Sequence, residues 1–264
     1  MTGMQSEVES HIAAVTTLYA PLMKGNASRL QGGEKLWAQF ESAANFCDVT
    51  KPASVSALIE RVNELAVAQL ILNDPVLEGE LQYEPDIIPD GRRIDFVIVG
   101  TSENTYIEVK TVNPRADDSD ASWQRYVGRR ENHPENVNYI VDKKWRGAEV
   151  YGNSFSARSH FLEYTLKFEA RLVAAKAVRP GLGRLIFCGT GFAWHLSELE
   201  DFVDFYLTGR HRSDDKFGPM EGHDLQTKQI ELQRNISEFA FVKRGMEQTV
   251  AERYVMPVGG PRGI

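Results

Sequence analysis

Cysteine is scarce in this chain of 264 residues: Cys47 and Cys188 are its only two and lie far apart, so no disulfide framework is expected. The histidines at 11, 133, 160, 195, 211 and 223 show no paired ligand spacing, which with isolated cysteines argues against a zinc centre. No apolar run approaches the ~18 residues that a membrane-crossing helix needs. The opening "MTGMQSEVESHIAAV" is acidic and lacks a signal-peptide core, so a cytoplasmic location without membrane contact is the expectation. Surplus positive charge is missing too. A net charge of -7 excludes a protein that coats nucleic acid by bulk electrostatics, while leaving room for an enzyme with a local basic groove. There is no Gly-x-Ser-x-Gly elbow and no Walker A loop, and "GTGF" at 189–192 lacks the third glycine of a dinucleotide loop. Internal repeats and low-complexity tracts are absent as well.

What is present is the composition of an ordinary globular protein, 42% hydrophobic and 25% charged. The first fifty residues carry two stretches of helical spacing, "EVESHIAAVTTLYAPLM" and "GGEKLWAQFESAANFC". "SVSALIERVNELAVAQLILND" reads as a long helix capped by Ser54 or Ser56 and ended at Asn73-Asp74-Pro75. It is apolar on more than one side, as a helix between two layers would be. "GELQYEPDI" reads as a short strand and "IPDGR" as a turn. "RIDFVIV" and "TYIEVKTV" read as strands joined by a hairpin connection. Residues 113–158 read as an irregular polar insertion, 156–178 as a long helix, and 184–191 as a buried strand. Residues 196–209 read as a helix capped by Ser197 and stopped by Gly209, followed by a late hairpin from "SEFAFVKR" and "TVAERYV". This order predicts an α/β protein, a sheet of mixed direction with helices on both faces. The expected organisation is a helical N-terminal extension (1–50), an α/β core (51–209) and a mixed C-terminal extension (210–264).

The two hairpin strands carry charge where they should bury Val and Ile. Alternation puts Glu108 and Lys110 on one face of their strand, with Ile107 and Val109 on the other. With an even number of residues in the "GTSEN" connection, Asp95 lies on the same face, opposite Glu108 or Lys110, and a four-residue loop "GTSE" would pair it directly with Glu108. Two carboxylates side by side on a half-buried sheet repel and lose hydration. Lys110 neutralises one charge, and a divalent cation would neutralise the other. Mg²⁺ suits the site best, since it is hard and usually takes one or two protein carboxylates.

A strand aspartate, a hairpin and then Glu-Val-Lys (Asp95, then 108–110) resembles the PD-(D/E)xK nuclease superfamily. The likeness spans roughly residues 55–190. It implies a three-layer α/β/α, restriction-endonuclease-like core with a mixed central sheet, and hydrolysis of DNA phosphodiester bonds with Mg²⁺ or Mn²⁺. It implies that Asp95 and Glu108 bind the metal with the Val109 backbone carbonyl, and that Lys110 orients or activates the attacking water. Glu64, with Glu60 in reserve, would bind a second metal or a metal-bound water. Ile94 stands where the motif's name has proline. A literal Pro89-Asp90 reads instead as a turn.

Basic residues near aromatics offer a second, weaker pattern. Arg125, Arg129 and Arg130 surround Tyr126, and Lys143, Lys144 and Arg146 surround Trp145. Cations of this kind meet phosphates while rings stack on bases. Lys167 and Arg171, four apart on the long helix, would reach a phosphate near the site or pair with Glu163 and Glu169 on a solvated face. The expected partner is DNA ahead of RNA, and cutting both strands would call for a homodimer. Repair, restriction and defence are the roles the resemblance favours. The rival expectation is a nuclease-like fold without turnover, acting as a nucleic-acid-binding or protein-interaction module. A third is a sugar- or nucleotide-processing enzyme with a carboxylate pair.

Overall fold

Proline and glycine set where the first helices begin. In this computed structural model, which describes residues 2–48, 50–74, 79–112, 157–190, 196–208, 231–244 and 252–257, helix α1 (Thr2–Gly25) leads into a two-residue strand β1 (Leu30–Gln31) and helix α2 (Gly33–Asn45). Gly32 precedes α2 with φ 80°. That left-handed conformation suits glycine, and a Cβ there would sit 2.9 Å from the Tyr83 carbonyl. Helix α3 (Pro52–Leu72) starts with Pro at its first turn behind Lys51, not at Ser54 or Ser56. A first-turn proline lacks only an N–H that would go unpaired there anyway. Ser54 instead ties the preceding turn, accepting from Asp48 N and donating to Phe46 O. Arg29 donates to the Leu72 carbonyl at 3.0 Å and so closes the other end of α3.

Strands β2 (Glu80–Tyr83), β3 (Phe96–Val99) and β4 (Asn104–Thr111) form an antiparallel meander. Helix α4 (Ala157–Val178) then returns the chain so that β5 (Gly181–Thr190) pairs parallel to β4. Helix α5 (Leu196–Thr208), a helical turn at 231–235, and strands β6 (Ile236–Arg244) and β7 (Glu252–Pro257) follow. β6 joins β5 in parallel, and β7 closes the expected late hairpin. Among the described residues the sheet has seven strands in sequence order, of mixed direction, as predicted. Two local expectations change. β5 begins at Gly181, earlier than 184, because its ladder to β4 runs back to Asn104. α5 begins at Leu196, so Ser197 lies inside the helix rather than capping it.

The strand alternation sorts two cores. Phe96, Ile98, Ile107, Val109 and Ile186 face α1, α2 and α3, which contribute Tyr19, Phe40, Leu65 and Ile71. α3 thus lies in one apolar cluster with helices and sheet together, as its two-sided apolar surface predicts. Val97, Tyr106, Leu185, Phe187 and Phe239 face α4 and α5. There Phe161 packs 4.7 Å from Phe187, and Tyr206 meets Phe239 edge-on at 4.6 Å. The first fifty residues and the last strands are therefore joined to the same cores and the same sheet. No helix among the described residues is long and apolar enough to cross a membrane.

Candidate active site

Register decides the site. Phe96 pairs with Ile107, Val97 with Tyr106 and Ile98 with Thr105. One step further along this ladder Asp95 stands opposite Glu108, and the connection is the four residues Gly100–Glu103. Asp95 shares the face of Val97, and Glu108 that of Tyr106, so both carboxylates look toward α4. β3 has ended at this point. The Asp95 side chain takes over the rung: its Oδ2 accepts from Val109 N at 2.7 Å. Its carbonyl accepts from Glu84 N at 2.8 Å, pinning the end of β2 to the start of β3.

Lys110 Nζ lies 2.5 Å from Glu108 Oε1 and 3.9 Å from Asp95 Oδ2. One ammonium therefore bridges both carboxylates, whose oxygens can be no further apart than those two lengths together. The Glu108 side chain is 0% exposed, which rules out a surface ion pair of small worth. Its Oε1 also receives the Arg171 guanidinium from α4. Its Oε2 is buried with no hydrogen-bond partner among the described residues. Burial, reinforced by the Asp95 charge, pushes Glu108 up to about 7 despite Lys110 and Arg171. Burial pulls the Lys110 ammonium down, but Asp95 and Glu108 outweigh it and leave its pKa above the ordinary lysine value. Lys110 is thus a fixed cation at neutral pH.

Across from this group, α3 presents Glu64. Glu60, the reserve candidate, is exposed, whereas Glu64 is buried. Glu64 Oε2 meets Arg61 Nη1 at 2.7 Å and the Tyr83 hydroxyl at 2.7 Å. Burial first, then the Asp95 charge, raise Glu64 to about 7. Behind it Gln39 Oε1 accepts from Tyr83 at 2.6 Å and from Arg61 at 2.8 Å. Glu84 stands beside Tyr83 at φ 42°, a conformation costly for a residue with a side chain. Its carboxylate is held by Lys35 at 2.7 Å and Arg93 at 3.6 Å. Asn63 donates to Thr111 at 2.8 Å, locking α3 to the end of β4. The open cavity between α3, the strand ends and α4 measures about 360 Å³, and Glu60, Glu64, Asp95, Val109, Lys110 and Arg171 all line it.

Three of the four acid–base residues expected from the sequence, Glu64, Asp95 and Lys110, thus line one cavity, and Glu108 is buried behind them, tied to Lys110. Arg171 departs from its expected role. It does not pair with Glu169, which accepts from Asn235 instead. It bonds Glu108 and the Arg93 carbonyl, so its charge is engaged within the site. Lys167 pairs with Glu163 at 2.6 Å and is exposed, and it also lines the cavity. Pro89-Asp90 is a turn, with Asp90 and Arg92 paired at 2.6 Å in solvent. Arg125, Arg129, Arg130, Lys143, Lys144 and Arg146 lie outside the described residues. Gln39, Arg61 and Tyr83 were not foreseen. Only the Arg61–Glu64 spacing of three on one helix face offered a local signal. Among the described residues no three His, Cys, Asp or Glu side chains group closely enough to hold a metal by themselves. Compared with known proteins, the chain matches no family model, no curated protein and no solved structure.

Proposed function

We propose that the protein is a Mg²⁺- or Mn²⁺-dependent nuclease that hydrolyses DNA phosphodiester bonds on a restriction-endonuclease-like core. The observation that carries this reading is the Lys110 ammonium bridging Asp95 and the wholly buried Glu108, with Lys110 and Asp95 both lining the cavity. The element order supports it: helix α3, the meander β2–β3–β4, helix α4 and a parallel β5. That is the order the sequence resemblance implies for a PD-(D/E)xK core.

The donor set fits a hard divalent ion. Glu108 Oε2 is buried without a partner among the described residues, and two carboxylates with a backbone oxygen suffice for an ion that keeps several waters. Asp95, Glu108 and the Val109 carbonyl would hold it. When bound, such an ion polarises a phosphoryl oxygen and acidifies a water. The chain's own part is electrostatic and positional. Lys110, cationic at neutral pH, orients the attacking water and stabilises charge growing on the phosphate. Arg171 favours the ionised form of Glu108 and holds its carboxyl in place. The Asp95 bond to Val109 N fixes the spacing of the two carboxylates. A single cavity of this kind cuts one strand per event, so double-strand cutting would take two copies.

A second reading, a nuclease-like fold that binds without turnover, is favoured by one observation: Glu108 Oε1 is already met by two cations, Lys110 and Arg171. Titrating Mn²⁺ in the presence of plasmid or single-stranded DNA separates the two. The nuclease nicks DNA only with metal, and Lys110→Ala abolishes nicking while circular dichroism shows the fold retained. A binding module holds DNA equally well in EDTA and never nicks it.

A further inference from the structure

Charge alone gives this cavity little hold on a DNA strand. Among the described residues the cations that line it, Arg61, Lys110, Lys167 and Arg171, each already meet a carboxylate, and the whole chain carries a net charge of -7. Phosphate contacts to lysine and arginine supply much of the usual affinity for DNA. A nuclease built this way needs a second source of binding, and a base stacked on a side-chain ring supplies one that owes nothing to net charge. Tyr164 offers it, as the only ring among the described residues lining the cavity.

Helix α4 holds that ring ready. Tyr164, Lys167 and Arg171 follow one another at three- and four-residue spacing, so they share one face of the helix, and all three line the cavity. Arg171 ends the row at Glu108, and Tyr164 stands two turns earlier, about 10 Å along the axis. The His160 ring, one turn before it, meets the Tyr164 ring edge-on at 5.7 Å. The half-buried Tyr164 also packs against the core below α4, so little rotamer freedom remains to be lost when a base arrives. The Lys167 ammonium stands 6.0 Å from the ring centroid, the outer reach of a cation–π contact. Its side chain is 60% exposed, so a base can displace it from the ring.

Resting on the nuclease reading, we propose that Tyr164 is the platform on which the site stacks an unpaired base beside the scissile phosphate, so that the substrate is single-stranded DNA. In a duplex both faces of each base are covered by its neighbours, and presenting one to a ring costs unstacking and unpairing. A single strand presents its bases without that cost. The cavity of about 360 Å³ lies at the small end of the ~300–1,000 Å³ range of small-ligand pockets. It has room for a nucleotide and not for a base pair. The phosphate then sits on the Lys110 side and the base on the Tyr164 side, with Lys167 between them.

Fluorescence anisotropy of labelled oligonucleotides in EDTA reads the stacking without turnover. The probes are oligothymidylate, a base-free tetrahydrofuran strand of the same length and charge, and a duplex. Wild type should bind oligothymidylate about 5–100-fold more tightly than the base-free strand, and also more tightly than the duplex. Tyr164→Leu, which keeps an apolar side chain against the core, should lose the preference for bases while its salt dependence stays that of wild type. Tyr164→Phe should keep the preference, since the ring face is unchanged. In Mn²⁺, Tyr164→Leu should raise KM for oligothymidylate by the same factor with kcat little altered. Equal wild-type affinity for strands with and without bases, a preference for duplex, a Leu variant that still prefers bases, or a Phe variant that loses as much as Leu would each overturn the proposal. A wild type with the Tyr164-dependent preference that cuts no DNA in Mn²⁺ would overturn the nuclease reading instead, and the stacking site would then belong to a binding module.

Discussion

Replacing Arg171 by Met keeps much of the side-chain volume and removes the guanidinium. The Glu108 side chain is wholly buried, and stripping the partner from a buried charge costs about 3–5 kcal/mol. Lys110 remains 2.5 Å from the same oxygen, so the loss should be smaller, about 2 kcal/mol at alkaline pH on the same principle. The size depends on pH in a definite direction. Arg171 favours the ionised form of Glu108, whose pKa is already about 7. Without Arg171 that value climbs further, so the penalty is full above it. Below it Glu108 is neutral in both proteins and the penalty shrinks to that of an ordinary hydrogen bond, about 1 kcal/mol. Urea unfolding of both proteins near pH 8 and near pH 5 measures this, with m-values unchanged. Arg171→Lys should recover only part, since a point ammonium cannot serve both Glu108 and the Arg93 carbonyl as the fork does. A difference under about 0.5 kcal/mol at alkaline pH, the size of an ordinary surface change, or one equal at both pH values, would refute the reasoning.

The metal-free protein should itself lose stability between about pH 4.5 and pH 7. Glu64 and Glu108 both titrate near 7 when folded against an ordinary 4.5, so the native state binds more protons in that window and its advantage, on the order of 3 kcal/mol for each group, disappears as pH rises through it. Asp48 and Asp90, whose values are lowered, act in the opposite sense only at lower pH. Thermal melting in EDTA across the range tests this, and a flat or rising profile would contradict it. Gly100→Ala should destabilise by about 1–3 kcal/mol, because a Cβ there would lie 2.2 Å from the Glu103 carbonyl. Denaturation that moves by less than about 0.5 kcal/mol, within the range of neutral surface changes, would show that this turn is looser than its geometry.

That Asp95 shares a face with Glu108 and Lys110 was legible because it depends on two local quantities, the alternation of a strand and the parity of one loop, while the loop's length, which selects Glu108 as the partner, came from the structure. The layering of α3 was legible for a similar reason: its apolar residues recur on two sides of a single helix. Arg171 was misread because its partner, Glu108, belongs to another element, and the nearer acids Glu163 and Glu169 satisfied the helix spacing equally well. The Tyr83–Gln39–Arg61 cluster joins β2, α2 and α3 through side chains alone. No periodicity records such a meeting. The start of α3 was misjudged because a serine cap was preferred to the proline two residues before Ser54, and β5 because its early glycines were taken for a helix stop.

The two ladders that flank β4 differ in what the chain must do to form them. Its bonds to β3 need only the closure of the short connection at 100–103. Those to β5 join Val109 to Ile186 across the whole α4 crossover, a non-local step whose loop-closure entropy slows assembly. The hairpin can therefore bring Asp95, Glu108 and Lys110 together while water still bathes them. The docking of α4 and β5 is what dries Glu108, so the electrostatic tuning of the cavity depends on the non-local half of the sheet.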